Sequence, residues 1–276
     1  MTVIKTQPQV STLTSQFLER VFCFYDVITA LSFGTSPESA TSPPSTPFEL
    51  SSARSPLPIG SVDFLLGMAT DLWPIIHRLS HLPAAQKELR LAEANNNTSK
   101  ADVLRAEIET TSGFIELALT NWSPPVTIEP IRNGWPDFAW SPTDDARVNS
   151  IRDNAEAYRH SALVFLHRAI HGYPQTSAVV QTHTKAALQA CVAVVEWAGP
   201  TSALLWPLFV AACEAVEEED RGLARKAFAG VERRQGMVNI AHAWEVAEEV
   251  WRRGEDGQEY NWREICEEKG LTIVFG

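Results

Sequence analysis

The pattern of hydrophobic and polar positions is most distinctive between residues 201 and 221, where the sequence reads TSALLWPLFVAACEAVEEEDR. Apolar side chains occupy every position from Ala203 to Cys213, and the acidic cluster Glu217–Asp220 follows shortly after. A helix that is apolar on all sides is buried in a protein core. The run is far shorter than the roughly 20 residues that a bilayer-spanning helix needs. It predicts the central helix of an all-α domain, with Pro207 about one turn inside, where its missing N–H costs least.

This placement also predicts which side chains are buried. Trp206, Phe209 and Cys213 lie within the apolar run and are expected to be buried. The acidic residues Glu217–Glu219 are expected to face solvent. Because the helix macrodipole favours carboxylates in a first turn, we interpret them as the solvated start of the next helix.

Helical periodicity covers most of the remaining chain. The first amphipathic segment, at residues 15–34, places five apolar side chains on one face: Phe17, Val21, Phe24, Ile28 and Leu31. Further helices are predicted at residues 61–82 and 99–122, the latter with Ser99 and Asp102 as a capping pair. From Arg147 the pattern is almost continuously helical, with breaks near residues 172–174, 199–200, 220, 236 and 254–257. Patterns typical of strands are nearly absent. We therefore predict an all-α fold over residues 1–276, a single irregular multi-helix bundle of about nine to eleven helices.

Two long loops interrupt the predicted helices. Residues 35–60 are rich in Ser and Pro and cannot bury enough apolar surface to order themselves, so we expect a flexible loop within the domain. The second loop, at residues 123–145, differs because it carries Trp135, Phe138 and Trp140. We expect these aromatic side chains to pack over the core.

Charge and cysteine content narrow the class of function. The formal net charge is −11, and no run of Lys and Arg exceeds two residues. A nucleic-acid-binding surface needs clustered cations, so direct nucleic-acid binding by this chain is not expected. The same acidity argues against binding to an anionic membrane.

The four cysteines lie in apolar stretches and are expected to be buried free thiols. Since the N-terminal residues lack a signal-peptide core, we expect an intracellular protein.

Histidines at helical spacing raise the question of a metal site. His77 and His81 are four residues apart, as are His167 and His171, and imidazoles so spaced can share one ion. However, no HExxH motif is present, and the stretch around His160 is fully explained as an amphipathic helix with a polar outer face. The sequence therefore predicts no metal and no cofactor.

Enzyme motifs do not account for the function either. An all-α domain with clustered acids invites comparison with terpene cyclases, but Asp144 and Asp145 lack a third carboxylate at the required spacing. The nucleophile elbow, the Walker loop and the dinucleotide-binding motif are also missing from the sequence. Nine Trp and twelve Phe fit a packed core, and they also fit helices that enclose an apolar small-molecule pocket. No catalytic residue can be assigned.

Several blocks of sequence, in a preserved order, carry a resemblance to a known family. They read FCFYDVITALSFGTSP, AEAYRHSALVFLHRAI, LLWPLFVAACEAVEEEDR, HAWEVAEEVWRR and NWREICEEKGL. Together they resemble the fungal-specific transcription factor domain over about residues 17–271. The resemblance implies an all-helical regulatory region that responds to small molecules or to partner proteins. The family's six-cysteine zinc cluster is absent from this sequence, so we expect a chain without its own DNA-binding part, either a fragment or a stand-alone protein.

Two functions remain open at this point. The first is a regulatory, effector-binding helical domain in the nucleus, whose partner is a hydrophobic small molecule or another protein. The alternative is a stand-alone, cofactor-free cytoplasmic enzyme of fungal secondary metabolism, a cyclase or Diels–Alderase-like pericyclase acting on a hydrophobic terpenoid or polyketide. Such a reaction needs only an apolar pocket that orients the substrate and one or two hydrogen-bond donors. The candidate ligand-binding residues are Trp135, Trp140, Tyr158, Arg159, His160 and Trp206.

Overall fold

The structure, a computed structural model, describes residues 13–38, 67–124, 141–197, 199–201 and 203–275. These residues form nine α-helices and no β-strand, which confirms the predicted all-α bundle. The helices are α1 (Leu13–Phe33), α2 (Trp73–Ala94), α3 (Thr98–Asn121), α4 (Pro142–Phe165), α5 (Ala178–Glu196), α6 (Leu205–Cys213), α7 (Glu218–Gln235), α8 (Val238–Gly254) and α9 (Trp262–Lys269). A π-helical segment, Leu166–Ile170, continues α4. Most of the predicted Ser/Pro-rich loop lies outside the described residues, and so do Trp135, Phe138 and Trp140.

Helix α6 lies at the centre of the bundle. It contacts α4, α5, α7 and α8, and all nine of its residues are buried. Trp206, Phe209 and Cys213 are buried as predicted, whereas Glu217–Glu219 are exposed. Pro207 is the third residue of the helix, in the first turn, where a proline costs no helical hydrogen bond. Among the described helices, none combines the length and the apolar character needed to cross a membrane.

Because α6 is buried, side chains of neighbouring helices satisfy backbone carbonyls that water cannot reach. Near the end of the helix, Trp251 Nε1 on α8 donates to the Ala212 carbonyl at 2.8 Å. Near its start, the Ser161 hydroxyl on α4 donates to the Pro207 carbonyl at 2.7 Å. These polar contacts fix the position of α6 within an otherwise apolar environment.

Helix α9 is tied to the end of α1. Arg263 Nη2 donates to the Leu31 carbonyl at 2.8 Å. The same guanidinium lies over the Trp262 ring, 4.3 Å from its centroid, and Trp262 contacts Phe209 of α6 edge to face. Burial lowers the pKa of Arg263 to about 10, so its charge is retained at neutral pH. The first and last described helices therefore meet at the same side of the core.

Helix α2 differs from its predicted bounds at both ends. Residues 67–72 are not α-helical, and the helix continues past Leu82 to Ala94 with Pro83 in its interior. A proline normally ends or kinks a helix because it removes a hydrogen bond and clashes with the preceding turn. Here Pro83 packs against Gly34 at the end of α1, where a Cβ on the glycine would lie 3.7 Å from the Pro83 Cβ. The predicted end at Leu82 is wrong: the helix continues through Pro83, and Ala92 near its end is buried.

Two helix starts are fixed by residues that the sequence pattern did not single out. Helix α3 begins after Asn97, whose side chain accepts a hydrogen bond from the Lys100 backbone N–H at 3.2 Å, so the predicted Ser99 and Asp102 capping pair is wrong. Helix α4 begins at Pro142, five residues before the predicted start. Ser141 and Asp144 form a reciprocal capping box there.

Candidate functional site

Two of the residues predicted to bind a ligand, Tyr158 and Trp206, lie together in the core. Their rings stack with centroids 5.7 Å apart, and both side chains are buried. The Tyr158 hydroxyl donates a hydrogen bond of 2.5 Å to the Ala203 carbonyl, just before α6. Burial raises the pKa of Tyr158 far above its usual range, so the hydroxyl stays protonated. Both residues already have partners within the protein, and ligand binding by them stays a prediction.

Arg159 holds the end of α3 rather than facing Tyr158. Its Nε donates to the Leu119 carbonyl at 2.7 Å, and its Nη2 donates to the Thr120 carbonyl at 3.1 Å. Its Nη1 pairs with Glu156 at 3.2 Å. A cation at this position complements the negative end of the α3 dipole and satisfies carbonyls that have no helical partner. The role of Arg159 visible in the structure is therefore to join α4 to α3.

His160 belongs to a group of histidines where α3, α4, the π segment and α5 meet. We define the histidine cluster as His160, His167, His171 and His183, together with Glu116. His160 Nδ1 lies 3.0 Å from His183 Nδ1, so one of the two nitrogens donates to the other. The rings of His167 and His183 have centroids 5.8 Å apart, and those of His167 and His171 are 6.0 Å apart. His167 Nε2 lies 3.1 Å from the Glu116 carboxylate, the hydrogen bond that fixes its tautomer.

The π segment contains His167 and is followed directly by His171. It places the His171 N–H 3.0 Å from the Leu166 carbonyl, five residues back, instead of four as in an α-helix. The His167 side chain is 1% exposed and stacks on Tyr173 with centroids 5.3 Å apart. Arg168, the next residue, pairs with Glu214 at 2.7 Å. π-Helical turns of this kind often occur at functional sites.

Burial keeps three imidazoles of the histidine cluster, those of His160, His171 and His183, neutral at neutral pH. Burial lowers the pKa of His160 and of His183 to about 4 each, and it also lowers the pKa of His171. Nearby positive charge on Arg159 adds to the effect at His160. An imidazole of such low basicity is a poor general base at pH 7. The cluster can offer N–H donors and lone pairs to a ligand, but it is not set up for proton abstraction.

A metal is not indicated at the histidine cluster. Over the described ranges, no group of three or more His, Cys, Asp or Glu side chains has an arrangement that could hold an ion. The spacing of His167 and His171 is visible in the sequence, whereas the pairing of His160 with His183 is not. The two are 23 residues apart on different helices, so only the packing of α5 against α4 brings them together. No periodic signal could have identified His183 or Glu116.

Comparison with known proteins agrees with this architecture. The family model described as the fungal specific transcription factor domain matches residues 3–276, nearly the whole chain. No curated protein and no solved structure gives a significant match. The family match covers every described helix, including central α6 and the elements that form the histidine cluster. The chain therefore belongs to the family of the fungal specific transcription factor domain.

Proposed function

We propose that this chain is a regulatory domain that controls transcription in the nucleus through a bound effector or a protein partner. The observation that carries the proposal is the family match over residues 3–276, together with the all-helical fold. The fold by itself does not assign a function, since one architecture hosts many activities. The family and the chemistry of the described residues must support the proposal together.

The described side chains favour binding over catalysis. The imidazoles of His160 and His183 are weakly basic. Burial raises the pKa of the Cys213 thiol well above its ordinary value and that of Cys266 to about 11, so neither is an activated nucleophile. Tyr158 does not support the alternative of a cofactor-free cyclase, because its hydroxyl already donates to the Ala203 carbonyl and is not free to donate to a substrate. A regulatory domain needs none of these groups to be reactive.

The charge of the chain supports a role that does not include reading DNA. A net charge of −11 repels the phosphate backbone, and the sequence has no cluster of Lys and Arg to overcome the repulsion. We therefore propose that this domain regulates DNA binding or transcription through other proteins or other parts of a protein. The effector or the partner protein binds on the surface of the domain or in a groove between its helices.

The proposal can be tested by tethering the chain to a heterologous DNA-binding domain upstream of a reporter gene in fungal cells. We expect reporter transcription to differ from that given by the DNA-binding domain alone, at matched protein levels. Repeating the measurement in several growth media searches for an effector, since an effector would change the output of the fusion but not of the control. Identical output from the fusion and the control in every medium would contradict the proposed function.

A further inference from the structure

A groove of about 530 Å³ lies on the surface between α2 and α3. These helices pack side by side and are joined by the short turn at Asn95–Asn97. The side chains that define the groove come from both helices: Ile75, Arg78 and His81 from α2, and Phe114, Ile115 and Ala118 from α3. Small-molecule sites of about 300–1,000 Å³ are common in proteins, so the size suits a small organic ligand.

The walls of the groove are mainly apolar. Ile115 is buried at its base, whereas the Phe114 side chain is 64% exposed. Covering an exposed aromatic ring and the apolar depression beside it removes apolar area from water, which is energetically favourable. On the described surface of α3, Phe114 and Leu117 are adjacent large apolar side chains that no other helix covers. An apolar ligand in the groove would bury part of this surface.

The polar side chains that line the groove are Arg78, His81 and Thr111, and none of them is acidic. The exposed Arg78 guanidinium has no carboxylate partner within salt-bridge distance among the described residues. On α3, by contrast, Arg105 binds Glu93 and Asp102, and Lys100 binds Glu88. His81 lies beside Arg78 in the lining, and burial lowers the pKa of its imidazole, which leaves a neutral ring with one N–H. An unpaired guanidinium above an apolar surface is complementary to an anion attached to an apolar body.

We propose that the α2–α3 groove binds a small apolar molecule that carries one carboxylate, with the carboxylate on Arg78 and the apolar body on Ile75, Phe114 and Ile115. His81 donates a second hydrogen bond to the anion. The inference deepens the proposed function, on which it rests for its biological meaning, because such a molecule would be the effector of the domain. The binding itself is a property of the purified chain and can be measured without any transcription assay.

The test uses two fluorescent probes of the same apolar shape. 1-Anilinonaphthalene-8-sulfonate is anionic, and N-phenyl-1-naphthylamine is its neutral counterpart. We expect one anionic probe to bind per chain and to be displaced by dodecanoate at lower concentrations than by dodecanol. Arg78→Met should weaken binding of the anionic probe by about tenfold, as for loss of one charge-assisted hydrogen bond, and leave the neutral probe unaffected. Arg90→Met, an exposed arginine of α2 outside the groove, is the matched control and should bind like the parent chain.

A second pair of variants tests the apolar wall. Phe114→Ser should weaken both probes several-fold, whereas Val103→Ser, equally exposed on α3 but outside the groove, should weaken neither. All four substituted side chains are exposed, so far-UV circular dichroism should match the parent chain. Equal affinity of the anionic probe for Arg78→Met and Arg90→Met would overturn the proposal, and so would equally strong displacement by dodecanol and dodecanoate.

The groove proposal and the proposed function can fail separately. If the probes do not bind but the tethered chain still regulates the reporter, the groove proposal falls and the proposed function stands. If the probes bind in the groove but the tethered chain leaves the reporter unchanged, the proposed function falls and the groove proposal stands.

Discussion

The Tyr158 ring stacks on the Trp206 ring while its hydroxyl donates to the Ala203 carbonyl, three residues before Trp206. One side chain of α4 therefore contacts both the backbone before α6 and the first turn of α6. The stack continues on the other side, where Trp73 of α2 meets Tyr158 edge to face and Phe24 of α1 stacks on Trp73. This aromatic series joins four helices and explains why the apolar run of α6 is held at the centre.

Removing the Tyr158 hydroxyl tests this relationship. We expect Tyr158→Phe to lower the free energy of unfolding by about 1–3 kcal/mol, because the buried Ala203 carbonyl loses its partner while the ring stack is kept. Tyr173→Phe, at a residue that is 40% exposed, is the matched control and should change stability by less than about 0.5 kcal/mol. Urea unfolding followed by circular dichroism measures both. Equal stability of the two variants would show that the hydrogen bond contributes nothing.

Helices α5 and α7 approach each other so closely at Gly230 that we predict alanine to be destabilising there, the opposite of what helix propensity alone predicts. A Cβ added to Gly230 would lie 2.8 Å from the Val195 Cβ, closer than packing allows. Alanine normally stabilises a helix interior by about 0.5–1 kcal/mol relative to glycine. We expect Gly230→Ala instead to destabilise the protein by about 1–3 kcal/mol, since two rigid groups must move apart.

The control for this variant lies in the same helix. A Cβ on Gly222 would meet no described atom within 4 Å, so Gly222→Ala should follow helix propensity and stabilise the protein by about 0.5–1 kcal/mol. Thermal unfolding of both variants measures the difference. If both alanines raise the unfolding temperature, the packing of α7 against α5 is not as close as described.

The histidine cluster predicts how stability depends on pH. The pKa of His160 and of His183 is about 4 in the folded protein, against an ordinary value of 6.5. Between these values the unfolded chain binds more protons than the folded one, so folding stability is lost as the pH falls from about 6.5 towards 4. We expect a lower urea midpoint at pH 5.5 than at pH 7.5. Most exposed carboxylates remain ionised over this range, which limits their contribution.

A variant separates the cluster from other titrating groups. His183→Asn keeps a hydrogen-bonding group near His160 Nδ1 but removes one titrating imidazole. The change in urea midpoint between pH 7.5 and 5.5 should therefore be smaller in this variant. An unchanged pH dependence in His183→Asn would contradict the assigned role of the cluster.

The acidic charge and the absence of a metal-ligand group in the described residues lead to a further expectation. The purified chain should hold no stoichiometric zinc and should not shift duplex DNA at physiological salt. Metal analysis after gel filtration and an electrophoretic mobility assay measure the two properties. One mole of zinc per mole of chain would point back to the histidine cluster, and a shifted DNA band would contradict the interpretation of the net charge.

Much of the fold could be predicted from the sequence because the helices carry strong, local signals. The all-round apolar run of α6 predicts a buried helix, and this prediction is confirmed. On the predicted apolar face of α1, Phe24, Ile28 and Leu31 are buried and Val21 is half-buried, whereas the Phe17 side chain lies outside the described residues. The end of α2 was predicted wrongly, since a proline inside a helix is unusual and Pro83 lies within α2. The π segment also escaped prediction, since the pattern from α4 into Leu166–Ile170 reads as ordinary α-helix.

Candidate site residues were less predictable because their roles depend on tertiary partners. Arg159 and His160 are neighbours in sequence, yet one binds the end of α3 and the other pairs with α5. Tyr158 has the polar tip of a ligand-binding residue, but its partner is the Ala203 carbonyl. Arg78 gave no signal in the sequence, since only the packing of α2 against α3 sets it beside an apolar groove.

One substitution in the central helix and one on the surface just after it test the placement of α6 in the core. Phe209 is fully buried, so Phe209→Ala should lower the free energy of unfolding by about 3–5 kcal/mol. Glu218→Gln removes an exposed charge that pairs with Arg225 on the surface and should leave the free energy of unfolding almost unchanged. Chemical unfolding measures both, and equal losses at the two sites would contradict the central placement of α6.

The central claim, that this helical fold regulates transcription, is tested most directly by reporter output from the chain tethered to a heterologous DNA-binding domain. The measurement compares the parent chain, Phe209→Ala and Glu218→Gln at equal protein levels with the DNA-binding domain alone. We predict that the parent chain and Glu218→Gln alter transcription equally, and that Phe209→Ala loses most of the effect because its core is disrupted. Output from the parent chain that equals that of the DNA-binding domain alone would contradict the claim.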